Sequence, residues 1–74
     1  MALYDQVVDV ARVYLGPAAE KFVTRQIRTH LNIESAQLGK QHLDELAHWC
    51  NISGALAMNE DKAKEFSNKV KALK

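Results

Sequence analysis

The stretch Tyr14-Leu15-Gly16-Pro17-Ala18 decides the fold, because it places the end of one helix directly before the start of another. Glycine adopts the left-handed backbone that closes a helix, and proline is tolerated in the first helical turn, where a backbone N–H has no partner. Gly16 is therefore predicted to end one helix and Pro17 to begin the next. Apolar residues at helical spacing on both sides predict that the two helices share a core.

The composition is that of a small folded domain. The chain has 74 residues, of which 47% are hydrophobic and 26% are charged, and this balance is typical of a globular protein. A domain of this size keeps much of its surface in contact with water and has little room for an enclosed active site. We therefore expect a single helical domain, residues 1–74, that is not an enzyme and needs no cofactor.

Charge and targeting patterns favour a cytoplasmic protein. Ten basic and nine acidic side chains give a formal charge of +1, which creates no overall field that would attract nucleic acid or an anionic membrane. The first residues lack the basic region of a signal peptide, and no uncharged apolar run reaches the roughly 20 residues that span a bilayer. The single cysteine, Cys50, excludes an internal disulfide and favours a reducing compartment.

Apolar periodicity predicts four main helices. The first covers about Leu3 to Leu15, the second Pro17 to about Leu31, and the third about Lys40 to Asn51. The last begins after Asn59, which is a good N-cap and is followed by acidic residues that suit the positive end of a helix dipole. Strand patterns are absent. The predicted fold class is all-α, a small bundle of four main helices with one or two extra short helical turns.

Two segments between the helices have the composition of turns. Between Asn32 and Gly39 we expect a loop with at most one helical turn, for which Ser35 is the candidate cap. Asn32 itself is expected to end the second helix. The segment Asn51-Ile52-Ser53-Gly54 is predicted to be a turn that ends the third helix. A short helical turn that carries Leu56 follows it, either as a separate element or merged with the neighbouring helix.

The histidines and the cysteine have the wrong spacing for a metal site or a catalytic site. Structural zinc uses about four ligands in short paired spacings, whereas His42 and His48 lie about 240° apart around a helix. Cys50 is predicted to point into the core, away from His48, where burial raises the pKa of a thiol and makes it inert. Cys50, His48 and Asp44 therefore cannot form a catalytic set, because the thiol and the imidazole point in different directions. We assign no metal ligand and no catalytic residue.

Two features of the helices are candidates for partner binding. Lys21, Arg25 and Arg28 lie at i, i+4 and i+7 on one outer face of the second helix. Such a row is usually a solvated face, and the alternative is a docking stripe for an acidic partner helix or a phosphate. Trp49 lies at the margin of the apolar seam of the third helix, either as the edge of the core or as an interface anchor.

The leading hypothesis is a small non-catalytic helical module that binds a protein partner or a second copy of itself as a homodimer. It would use an exposed helix face near Trp49 or the basic row. The alternative is a nucleic-acid-binding helical domain that uses the basic face of the second helix. Three charges are few beside the roughly 6–10 phosphate contacts of such proteins, so the protein partner is favoured.

Several short motifs follow one another from the corner onward. The chain contains Leu15-Gly16-Pro17-Ala18-Ala19, then Phe22-Val23 and Arg25-Gln26, then Leu43-Asp44-Glu45-Leu46-Ala47 and a final Phe66. This G-P-x-A corner followed by an L-x-x-L-A helix resembles a short helical module at the ends of bacterial signalling proteins such as serine/threonine kinases and cyclases. The resemblance implies a regulatory or assembly role without catalysis.

Overall fold

The computed structural model describes residues 2–73, and every regular element in that range is helical. The α-helices are α1 (Leu3–Leu15), α2 (Ala19–Gln26), α3 (Leu43–Ala57) and α4 (Glu60–Lys71). The shorter elements are 3-10 turns at Gly16–Ala18, Ser35–Gln37 and Lys40–His42 and a π-helical turn at Ile27–Leu31. Together they pack into a body of 28 × 22 × 22 Å. The all-α fold class is confirmed.

The division into four main helices is less clear than predicted. α2 has only eight regular residues, and it is continuous with the 3-10 turn before it and the π turn after it. The described residues contain four short helical turns where one or two were expected, because Gly16–Ala18 and Ile27–Leu31, predicted as parts of regular helices or of the corner, are separate 3-10 and π elements. Between Asn32 and Gly39 the chain forms a loop with one helical turn, Ser35–Gln37, as predicted.

The corner between α1 and α2 forms where it was predicted. Gly16 has a φ of 57° and a ψ of −132°, and its N–H bonds to the Arg12 carbonyl. The ψ angle lies outside the left-handed helical region that was expected, in a conformation that few residues other than glycine adopt. Pro17 occupies the 3-10 turn that leads directly into α2. Across the corner, the hydroxyls of Tyr4 and Thr24 lie 2.8 Å apart, which ties α1 to α2.

The end of the second helical segment departs from a regular α-helix. Ile27–Leu31 forms a π turn, in which hydrogen bonds reach five residues along the chain. Asn32 then ends the segment in the left-handed conformation, with φ 56° and ψ 39°, as predicted. The cap of the following 3-10 turn is Glu34 and not Ser35, and the Glu34 N–H donates to the side chain of Gln37.

The largest correction concerns α3. Its start is close to the prediction, because a 3-10 turn from Lys40 leads into it. The helix then continues through Asn51-Ile52-Ser53-Gly54 and ends at Ala57, so the predicted turn is wrong. The short helical turn that carries Leu56 is merged into α3.

Packing against α4 explains why α3 continues. Gly54 is buried in the interface between the two helices, and a Cβ atom at this position would lie 3.2 Å from the Cβ of Ala63. The glycine therefore permits a close approach of the helices, and the contact holds it in helical conformation despite its low helix propensity. Nearby, the buried Ser67 hydroxyl donates to the Ala47 carbonyl at 2.8 Å.

The start of α4 and the core agree with the sequence pattern. Asn59 caps α4, because its Oδ1 accepts a hydrogen bond of 2.8 Å from the Lys62 N–H. The core draws side chains from all four α-helices and from the π turn. Its largest fully buried side chains are those of Phe66, Ile27, Leu43, Leu46, Val7, Val23, Val70 and Cys50.

The close approach at Gly54 predicts a specific sensitivity to side-chain size. We expect Gly54→Val to lower the free energy of unfolding by about 1–3 kcal/mol, because the added methyl groups push against Ala63. Asn51→Val introduces the same residue at an exposed position of the same helix, where we expect a change within about 0.5 kcal/mol. Urea unfolding followed by circular dichroism measures both values. Equal stability of the two variants would contradict the packing role of Gly54.

Candidate functional site

An open groove of about 690 Å³ lies between the second helical segment and the C-terminal half of α3. Its lining residues are Ala18, Lys21, Phe22, Arg25, Gln26, Thr29, His30, Ser53, Leu56 and Ala57. The groove exists because α3 continues to Ala57. A helix that ended at Asn51 would leave the groove without its second wall.

A hydrogen bond between the two walls fixes the floor of the groove. Gln26 is only 4% exposed, and its Oε1 accepts a hydrogen bond of 2.9 Å from the Ser53 hydroxyl. The bond satisfies a polar atom that would be costly to bury without a partner. It also holds α2 and α3 at a set separation, so the groove is a preformed feature of the fold.

Apolar side chains stand exposed on the α3 wall. Leu56 is 91% exposed and Ile52 is 48% exposed. Together with Trp49 they occupy positions i, i+3 and i+7, which lie on one face of an α-helix. Leu56 also lines the groove. An apolar row beside a concave surface is typical of a site that another molecule covers.

The predicted basic row is divided between two places. Lys21 and Arg25 are exposed and line the groove. Arg28 belongs to the π turn, and its guanidinium lies 3.2 Å from the Glu34 carboxylate, beside a smaller pocket at the end of that turn. The groove therefore has two of the three basic residues that were proposed as partner-binding.

Trp49 lies next to the groove, in contact with one of its lining residues. Its half-buried ring stacks on the ring of His30, with centroids 3.9 Å apart and planes 5° from parallel. The His48 ring contacts the Trp49 ring edge-on, with ring centroids 5.2 Å apart. Because His30 lines the groove, the stack places Trp49 directly behind one of its walls.

Ile52 and Leu56 were missed as candidate binding residues. The turn-like composition of Asn51-Ile52-Ser53-Gly54 removed them from the predicted helix. A signal was nevertheless present, because Trp49, Ile52 and Leu56 have helical spacing in the sequence. The packing of Gly54 against α4 keeps these residues in one helix, and only then do the three side chains share a face.

The other reactive side chains have local structural roles. Cys50 is fully buried, and burial raises the pKa of its thiol to about 12. The Nδ1 of His42 accepts a hydrogen bond of 2.9 Å from the Gly39 N–H. Within residues 2–73, no three His, Cys, Asp or Glu side chains lie close enough to hold a metal ion. No helix in the same range is long and apolar enough to cross a membrane.

A second polar cluster joins α1 to α4, away from the groove. The Tyr14 hydroxyl donates to the Glu65 carboxylate at 2.8 Å, and this bond lowers the pKa of Glu65. The Lys69 ammonium lies 3.7 Å from the same carboxylate and 5.3 Å from the centre of the Tyr14 ring. These contacts link α1 to α4 at the surface of the protein.

The chain matches no protein-family model, no curated protein and no solved structure. The resemblance to the bacterial signalling module therefore stays a prediction.

The buried thiol predicts slow modification and a dependence of stability on pH. We expect iodoacetamide to label Cys50 at least about a hundredfold more slowly in the folded protein than in guanidinium chloride near pH 8. Because the pKa is raised from 9.0 to about 12 on folding, the unfolded thiol loses its proton first, and this group reduces stability as pH rises through that range. Mass spectrometry of timed samples measures the labelling, and rapid labelling of the folded chain would contradict the burial.

Proposed function

We propose that this protein is a small non-catalytic interaction module that binds another protein through the groove between α2 and α3. The exposure of Leu56 on the groove wall carries the proposal, since a 91% exposed leucine gains most from being covered by a partner. The neighbouring Ile52 and Trp49 extend the apolar surface. Lys21 and Arg25 provide a charged rim, which is the usual surround of an apolar interface.

The state of the reactive groups supports a role without catalysis. A catalytic thiol needs a lowered pKa and a nearby base, whereas the Cys50 thiol is buried with a pKa of about 12. His42 is engaged by the Gly39 backbone, and His30 is stacked on Trp49. A free, buried cysteine also suits the reducing cytoplasm, which is where we place the protein. A regulatory or assembly role in bacterial signalling follows from the resemblance alone.

Nucleic-acid binding has less support than protein binding. Arg28 is paired with Glu34, so the groove retains only Lys21 and Arg25 of the predicted basic row. Nucleic-acid-binding domains commonly use about 6–10 phosphate contacts. The exposed aliphatic side chains of Ile52 and Leu56 also have no favourable partner in a phosphate backbone.

Substitution of Leu56 tests the proposed function. The immobilised chain is used to capture proteins from an extract of its source cells, and the captured protein is identified, purified and titrated by calorimetry. We expect Leu56→Asp to weaken binding at least about tenfold, because a central apolar anchor is replaced by a charge. Circular dichroism verifies that the variant, which changes an exposed position, keeps its helices.

Val13→Asp is the matched control. Val13 is 74% exposed on α1 and does not line the groove, so we expect wild-type affinity. If Leu56→Asp and wild type bind the purified partner equally, the groove is not the binding surface and the proposal fails.

A further inference from the structure

We infer that the groove receives an amphipathic helix that carries acidic residues beside its apolar face. This inference rests on the proposed function and adds the chemistry of the partner. Three observations support it: the groove carries two basic residues, its long wall has the length of a short helix, and a symmetric dimer through the groove would bring like charges together.

The two cations of the groove lack ion-pair partners among residues 2–73. Arg12, Arg28 and Lys69 each form an ion pair with an acidic neighbour. Across residues 2–73, Lys21 and Arg25 form none, although both line the groove. Carboxylates on a bound segment would supply the missing charges, and charge complementarity of this kind selects the partner and its register.

The dimensions of the groove suit a helix. Its long wall runs from Ala18 to His30, a distance of about 18 Å at the rise of a helix, which equals roughly three turns. Phe22, Leu56 and Ala57 supply apolar contacts along it. Helix-in-groove recognition uses apolar anchors on successive turns. The all-helical fold of the described residues provides no sheet edge to which an extended strand would add.

A second copy of the chain is a poor occupant of the same groove. In a two-fold symmetric dimer the same patch serves both copies. The groove lining contains Lys21 and Arg25 and no acidic residue, so a groove-to-groove dimer would bring four cations into one interface without a carboxylate from the lining to pair with them. Like charges at an interface are strongly unfavourable. The unpaired cations therefore argue against groove-to-groove dimerisation and for an acidic partner.

Three stapled peptides of about 15 residues, long enough to span the groove, test the inference. They share leucines at i, i+3 and i+7 and differ only in the flanking positions, which are glutamate, glutamine or lysine. Fluorescence anisotropy with the full chain measures affinity at low and high salt. We expect the glutamate peptide to bind roughly tenfold more tightly than the glutamine peptide, and the lysine peptide most weakly. Salt should reduce these differences, because the groove is open to solvent.

Charge reversal in the chain locates the effect. We expect Lys21→Glu and Arg25→Glu each to lower the affinity for the glutamate peptide roughly fivefold to tenfold. Lys40→Glu makes the same change in charge at an exposed position outside the groove, and we expect it to bind as wild type does.

The outcomes separate this inference from the proposed function. If all three peptides bind equally and Leu56→Asp abolishes binding, the groove is a binding surface without acidic preference, and only the present inference fails. It also fails if the glutamate peptide does not bind, whatever the captured protein shows. If sedimentation shows a dimer that Leu56→Asp dissociates, the occupant is a second copy and the acidic partner is excluded.

Discussion

The close contact between α3 and α4 is the constraint on which the rest of the structure depends. Gly54 lies where an added Cβ would approach the Ala63 Cβ to 3.2 Å, and the buried Ser67 hydroxyl bonds to the Ala47 carbonyl on the same interface. Small side chains let the two helices approach closely, and the contact outweighs the weak helix propensity of glycine. Helix α3 is therefore held in one piece up to Ala57.

The continuity of α3 determines the surface of the protein. It places Ser53 against Gln26 and so fixes the separation of α2 and α3, and it leaves Leu56 exposed on the groove wall. On the opposite wall the π turn carries His30, whose ring stacks on Trp49. π turns are frequent at functional sites. A contact buried on one side of α3 thus creates a concave, partly apolar surface on the other.

Much of the fold could be predicted because the signals are local. The Gly16 corner and the Asn59 cap depend on the conformational preferences of single residues. The turn predicted at Gly54 was wrong because this glycine is explained by a neighbour on another helix, which the local sequence does not show. Arg28 was predicted to continue the basic row of a regular helix, whereas it lies in the π turn and pairs with Glu34. The apolar residues Ile52 and Leu56 of the candidate site therefore required the tertiary structure.

The conformation of residues 51–57 in solution tests the central claim most directly. Backbone NMR reports helix through Cα chemical shifts, and nuclear Overhauser effects report short distances between protons of Gly54 and the methyl group of Ala63. We expect uninterrupted helical shifts from Leu43 to Ala57 and a clear contact between these two residues. A break in the shifts within Asn51–Gly54, together with no such contact, would contradict the continuous α3 and the groove that depends on it.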